Sequence, residues 1–124
     1  SKEFAQMETP ITWLLLGHEA GDNSQVIALA DTLGWPYDVK YLVYRKTELL
    51  SNLFLGPNLA GIHKNESSPL TATWPQLIIT AGRRNEPIAR WIKKQAGGKT
   101  RLVHIGRPWA KLNYFDLIAM LYYF

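Results

Sequence analysis

The chain has 124 residues, 47% of them hydrophobic and 19% charged, which suits one globular domain with a real core. The absence of cysteine excludes disulfides and thiolate metal sites and fits a reducing compartment, so the expected location is cytoplasmic. The formal charge of +4 favours anionic partners. The basic residues are scattered, apart from Arg83–Arg84 and Lys93–Lys94, and no nucleic-acid motif is present, so no nucleic-acid partner is expected.

In chain order, residues 1–10 read as a disordered or expression-derived leader, with Met7 as a natural start after "SKEFAQ". There is no signal-peptide layout and no run of 18 apolar residues. Residues 11–124 then read as one domain. "ITWLLL", Ile11–Leu16, is the first strand. The turn "GHEAGD" leads to a helix from about Asn23 to Leu33, with Val26, Leu29, Ala30 and Leu33 on one face and Asp22, Asn23 or Ser24 as its cap. Gly34 ends it, and Trp35-Pro36 forbids continuation. A second strand spans about Tyr37–Val43. Segment 46–55 reads as a helix capped by Thr47, and Gly56–Thr73 as a long loop rich in Gly, Pro, Asn and Ser. Strand three is Leu77–Thr80. Asn85 is the expected N-cap of the next helix, Pro87 fits its first turn, and Ile88, Trp91 and Ile92 repeat at helical spacing. "QAGGK" closes it. Strand four is Arg101–Ile105, "GRPWAKLN" is a loop, and a fifth strand runs from Phe115 to about Met120.

This alternation predicts an α/β domain: a Rossmann-like parallel sheet flanked by helices, in the order 3-2-1-4-5. Ligands of such sheets bind at the carboxyl ends of the strands. Three loops, Gly17–Gln25, Gly82–Asn85 and Gly106–Trp109, are therefore expected at one edge. Arg83 and Arg84 lie between a strand's carboxyl end and a helix's amino end, where free N–H groups already favour an anion and two guanidiniums add paired donors. They read either as an anion site or as solvated loop charges.

"GHEAGDNSQ" carries neither the dinucleotide fingerprint nor the P-loop. Gly17 and Gly21 either cradle a phosphate with their N–H groups or only shape the turn. No catalytic residue can be assigned; His18 and Asp22 are the first candidates for a base, with helix capping favoured for Asp22. His104 reads as structural and His63 as solvated, and the three histidines have no metal spacing. No metal or cofactor is expected. Asp116 reads as a strand start. Trp13, Trp74 and Trp91 read as packing residues, and Trp109 as a stacking or a loop-anchoring residue. Residues 49–62, "LLSNLFLGPNLAGI", form either core, an interface, or a peripheral membrane contact on its inner face aided by Arg45 and Lys46.

The stretches "WLLLGHEAGDNSQVIALADTLGWPYDVK", "WPQLIITAGRRNEPIARWIKKQ", "TRLVHIGRP" and "FDLI" occur in that order, from about Ile11 to Ile118. Together they resemble the mitochondrial-fission protein family of the elongated-mitochondria type, especially its bacterial members. The resemblance implies a GT-B glycosyltransferase-like protein of two Rossmann-like domains facing a cleft, with this chain as the amino-terminal, acceptor-side half and the second domain absent. It implies site-edge roles for Gly17, Gly21, Asp22, Asn23, Gln25, Gly82, Arg83, Arg84, Gly106, Arg107 and Pro108, and a nucleotide-sugar or lipid-linked phosphate as ligand. The family's plant member is implicated in recruiting a dynamin-related protein to mitochondria, which leaves a protein- or membrane-interaction module as the alternative function. The end "AMLYYF" departs from the polar continuation expected after "FDLI", and the apolar tail Leu117–Phe124 is expected to be covered by a second copy or another protein.

Overall fold

A computed structural model of the chain describes residues 9–45, 59, 61–106 and 117–119. Five strands, β1 (Thr12–Leu16), β2 (Asp38–Tyr41), β3 (Leu77–Ala81), β4 (Arg101–Ile105) and β5 (Leu117–Ala119), form one sheet in which every pairing is parallel. Helix α1 (Ala20–Leu33) follows β1, and helix α2 (Glu86–Gln95) follows β3 after a 3-10 turn over Arg83–Asn85. The α/β class and the parallel sheet are as the alternating pattern predicts. The 46–55 helix lies outside the described residues, as do most of the 49–62 segment, Arg107, Pro108, Trp109 and Asp116.

The strand order is β2-β1-β3-β4-β5, which corrects the expected 3-2-1-4-5. Burial supplies the reason. "TWLLL" and "LIITA" are buried along their whole length, so both need neighbours on each side and cover on each face. "DVKY" has no buried residue and belongs at an edge. The expected order would have placed the polar strand inside and β3 at the rim.

Side chains alternate across the sheet with period 2. Trp13, Leu15, Ile78 and Leu102 pack with Ile88, Ala89 and Ile92 of α2, while Leu14, Leu16, Ile79 and Ile105 pack with Val26 and Ala30 of α1. The two helices therefore cover opposite faces. Burying each of the Leu, Ile and Val side chains contributes about 1.5–3 kcal/mol. Leu33, expected on the inner face of α1, is 40% exposed. On the first face Trp74 stands between Trp13 and Trp91, with ring centroids 6.1 and 5.8 Å away, which bears out packing roles for all three. Ile62 is fully buried there and Leu59 packs against the same cluster, so these two residues of the apolar 49–62 segment belong to the core.

The outer side of β2 and its continuation is closed by the chain itself. The Ser68 Oγ accepts the Tyr41 N–H (2.9 Å), and the Ser67 Oγ accepts the Val43 N–H (2.9 Å). The N–H groups of Ser68 and His63 donate to the Tyr41 and Val43 carbonyls at 2.8 and 2.7 Å. Tyr44 then bridges antiparallel to Ile62.

Candidate functional site

From β1 the chain crosses to β2 on one side, and from β3 to β4 on the other. The switch point of the sheet is thus between β1 and β3, where open α/β sheets leave a crevice beyond the strand ends. A cleft of about 620 Å³ opens there. Its walls include Gly17, His18, Asp22, Asn23 and Gln25 from the first loop and helix, Gly82, Arg83 and Arg84 from the second loop, and Gly106 from the third. All three expected loops reach it. Gly21 lies one residue from Asp22 in the first turn of α1.

The first loop is built differently from its sequence reading. Helix α1 starts at Ala20, not Asn23, with Glu19 at the N-cap position and no side-chain cap bond. Asp22, Asn23 and Ser24 therefore lie inside the helix. The Asn23 amide instead turns back on Gly17: its Oδ1 accepts the Gly17 N–H at 3.0 Å and its Nδ2 donates to the Gly17 carbonyl at 2.7 Å. This pair of hydrogen bonds to one residue closes the turn, so Asn23 shapes the site from within. The Ser24 hydroxyl bonds the Ala20 carbonyl at 3.0 Å. His18 is more than half exposed at the rim, its Nε2 3.3 Å from the Glu19 carboxylate.

The second loop depends on Gly82, whose φ of 84° and ψ of 147° belong to a region open only to glycine. A Cβ there would also stand 2.7 Å from the Asp22 Oδ2, so the carboxylate would have to swing aside. Gly21 meets no such demand: a Cβ on it would have nothing within 4 Å. Its small size leaves open space in the first turn of α1.

Asn85 holds the N-cap position of α2, as expected, but its side chain does not cap the helix. It is buried beneath the cleft. Its Nδ2 donates to the Ala81 carbonyl (2.9 Å) and the Leu15 carbonyl (3.2 Å), tying the ends of β3 and β1 together, and its Oδ1 accepts the Tyr44 hydroxyl. Local side-chain bonds of this kind compete with capping, and here tertiary partners win.

Four lining or supporting residues are not among the expected ligand-binding set. Tyr44 arrives from beyond β2, with its ring centroid 5.8 Å from the Arg84 guanidinium carbon and 6.1 Å edge-on from the His18 ring. Burial pushes its phenol well above the ordinary tyrosine range, while the Arg84 charge pulls it down. His104 projects from β4 with Nδ1 3.1 Å from the Gly106 carbonyl and Nε2 3.3 Å from the Gly82 carbonyl. It thereby bridges the second and third loops, which gives the structural role expected of it a definite form. Glu86, the first residue of α2, is fully buried with its Oε1 4.0 Å from the His104 Nε2. Asn85 is the fourth. The sequence signal for Tyr44 and Glu86 is absent, since an edge tyrosine and a first-turn acid are ordinary surface features.

Among the described residues no helix is long and apolar enough to cross a membrane, and no group of three His, Asp or Glu residues is placed to hold a metal ion.

Comparison with known proteins completes the description. The family model described as mitochondrial fission ELM1 matches residues 20–120. An uncharacterized protein of Rickettsia prowazekii (strain Madrid E), RP120, is 33% identical over 114 residues, which are 90% of this chain and 31% of the relative. The chain thus spans about a third of the length of that relative. No solved structure matches the chain.

Proposed function

The chain belongs to the mitochondrial fission ELM1 family, and from that premise we propose that its cleft takes a phosphate-bearing ligand, as the acceptor-side half of a GT-B glycosyltransferase-like protein. The observation that carries this reading is the meeting of Arg83 and Arg84 with the first turn of α1 at the switch point of the sheet. Guanidiniums present paired donors that match phosphate oxygens. The free amides and dipole of the helix start favour negative charge on the same spot. Asp22, on the facing wall, is an acceptor for a ligand hydroxyl, and the exposed His18 is within reach of bulk solvent for proton exchange. A nucleotide sugar or a lipid-linked diphosphate supplies both phosphate and hydroxyl groups. The threefold greater length of the Rickettsia relative leaves room for a second domain, where a GT-B protein holds most of its donor.

The test is calorimetric titration with pyrophosphate, nucleotide sugars and lipid-linked diphosphates. Arg83→Ala and Arg84→Ala should each weaken binding by about 10- to 100-fold, the range for losing charge-assisted hydrogen bonds. Unchanged affinity in both variants sinks the reading.

The family's description names an organelle process and no reaction, which favours a second reading as a protein- or membrane-interaction module. Leu59 and Ile62 face the core and are not part of such a surface. Tight association with anionic vesicles or a protein, without pyrophosphate binding, would select this reading.

A further inference from the structure

We infer that Tyr44 is a positioning residue that holds the Arg84 guanidinium at the cleft before any ligand arrives. The inference rests on the phosphate reading of the cleft and adds a residue outside its three loops. The guanidinium carbon lies 5.8 Å from the Tyr44 ring centroid, within the range in which the negative face of an aromatic ring attracts a cation. The ring cannot drift. Its hydroxyl is held by the Asn85 Oδ1, and Asn85 is itself fixed to the Leu15 and Ala81 carbonyls at the ends of the central strands. Its Cε2 abuts Gly17, where even a methyl group would come to 3.3 Å. The backbone of Tyr44 is pinned by its bridge to Ile62.

A free arginine side chain loses roughly 2 kcal/mol of rotamer freedom when a ligand immobilises it. A guanidinium already drawn toward the face of a fixed ring has met part of that cost during folding, so binding is correspondingly tighter. The ring lies beside the Arg84 guanidinium, while the hydroxyl is engaged by Asn85. Tyr44→Phe and Tyr44→Leu therefore separate the two contributions.

The experiment is a double-mutant cycle read by titration of inorganic pyrophosphate. Tyr44→Leu should weaken binding about 3- to 30-fold, the range for a cation–π contact of this kind. Tyr44→Phe should lose distinctly less, because the ring remains. In the Arg84→Ala background, Tyr44→Leu should have little further effect, since the group it positions is gone. Wild-type affinity in Tyr44→Leu, or losses that multiply in the double variant, overturns the inference and leaves the phosphate reading standing. Failure of the wild type to bind pyrophosphate overturns both. Should Tyr44→Leu not fold, the wild-type Arg84 Nε–H proton resonance decides: an upfield ring-current displacement supports the stack, and a random-coil position overturns it.

Discussion

His104 and Glu86 face one another beneath the cleft at 4.0 Å, with side chains only 1% and 0% exposed. One comes from β4 and the other from the first turn of α2, so their contact joins a strand end to a helix start. Truncating a buried polar side chain removes its packing and leaves its neighbours less well satisfied, which costs about 1–3 kcal/mol. Glu86→Ala is expected to destabilise the chain by that amount in urea denaturation. Glu86→Gln, which keeps an acceptor oxygen and the volume, should cost less than half as much. Equal losses in the two variants would assign the effect to the carboxylate rather than to packing.

Asn85 invites a sharper substitution. Asn85→Asp preserves shape and the acceptor for Tyr44 but replaces both donors by an oxygen facing the Leu15 and Ala81 carbonyls. Two acceptors lose their donor and a carboxylate is buried among them, so a loss of at least roughly 2 kcal/mol is expected. Thermal unfolding at neutral and acidic pH checks it. Protonation of the introduced carboxyl restores one donor, and the deficit should narrow as pH falls.

Gly82, which lines the cleft, and Gly21, next to Asp22 in the chain, should respond in opposite directions. Gly82→Ala adds a Cβ at a φ of 84° and within 2.7 Å of the Asp22 Oδ2, and is expected to cost about 1–3 kcal/mol. Asp22→Ala should recover the steric share of that loss and leave the conformational share. Gly21→Ala meets nothing and sits in a helix, so it should gain up to about 1 kcal/mol. If a phosphate approaches the first turn of α1, the same methyl group weakens pyrophosphate binding while it stabilises the fold. Chemical denaturation and calorimetry on the same variant read the two effects separately.

Tyr44 also predicts an alkaline response. Its phenol is held above its ordinary value by burial, so the folded chain keeps a proton that the unfolded chain releases from about pH 10 upward. In that window the unfolded state binds fewer protons than the folded one, and stability falls as pH rises. Below it the contribution is fully present. The exposed Tyr37, raised by its hydrogen bond to the Asp31 carboxylate, acts in the same direction but is screened by solvent. Denaturation midpoints between pH 9 and 11.5 should therefore decline less steeply in Tyr44→Phe than in the wild type. Parallel slopes would place the alkaline loss elsewhere.

Much of this arrangement is written locally in the chain. A leucine-rich apolar run marks β1 and a β-branched one marks β3, Gly34 and Trp35-Pro36 mark the end of α1, and strand–helix alternation brings the loops at Gly17, Gly82 and Gly106 to one edge. What local pattern does not encode is partnership. Asp22 and Asn23 have the chemistry of caps, yet the Asn23 amide gains more by closing both polar groups of Gly17, and the helix begins three residues earlier. Asn85 occupies a cap position but donates its amide to the carbonyl of Leu15, far away in sequence, and to that of Ala81, four residues before it. The order of the strands turns on the contrast between the buried "LIITA" and the exposed "DVKY", a comparison between segments that periodicity within either one does not make. Tyr44, Glu86 and His104 acquire their roles only once three distant elements meet.

The serine pair that closes the edge beside β2 has a consequence for assembly. An open parallel sheet offers its rim as a template on which another chain can add a strand, the usual route to sheet-mediated aggregation. At Tyr41 and Val43 both the N–H and carbonyl groups are already engaged, by Ser67, Ser68 and His63. A foreign strand must first displace four native hydrogen bonds to pair there. The hydroxyls thus act as gatekeepers on that flank: replacing both serines by alanine would leave the Tyr41 and Val43 N–H groups unengaged while the two carbonyls keep their backbone partners, a half-open rim in place of a sealed one.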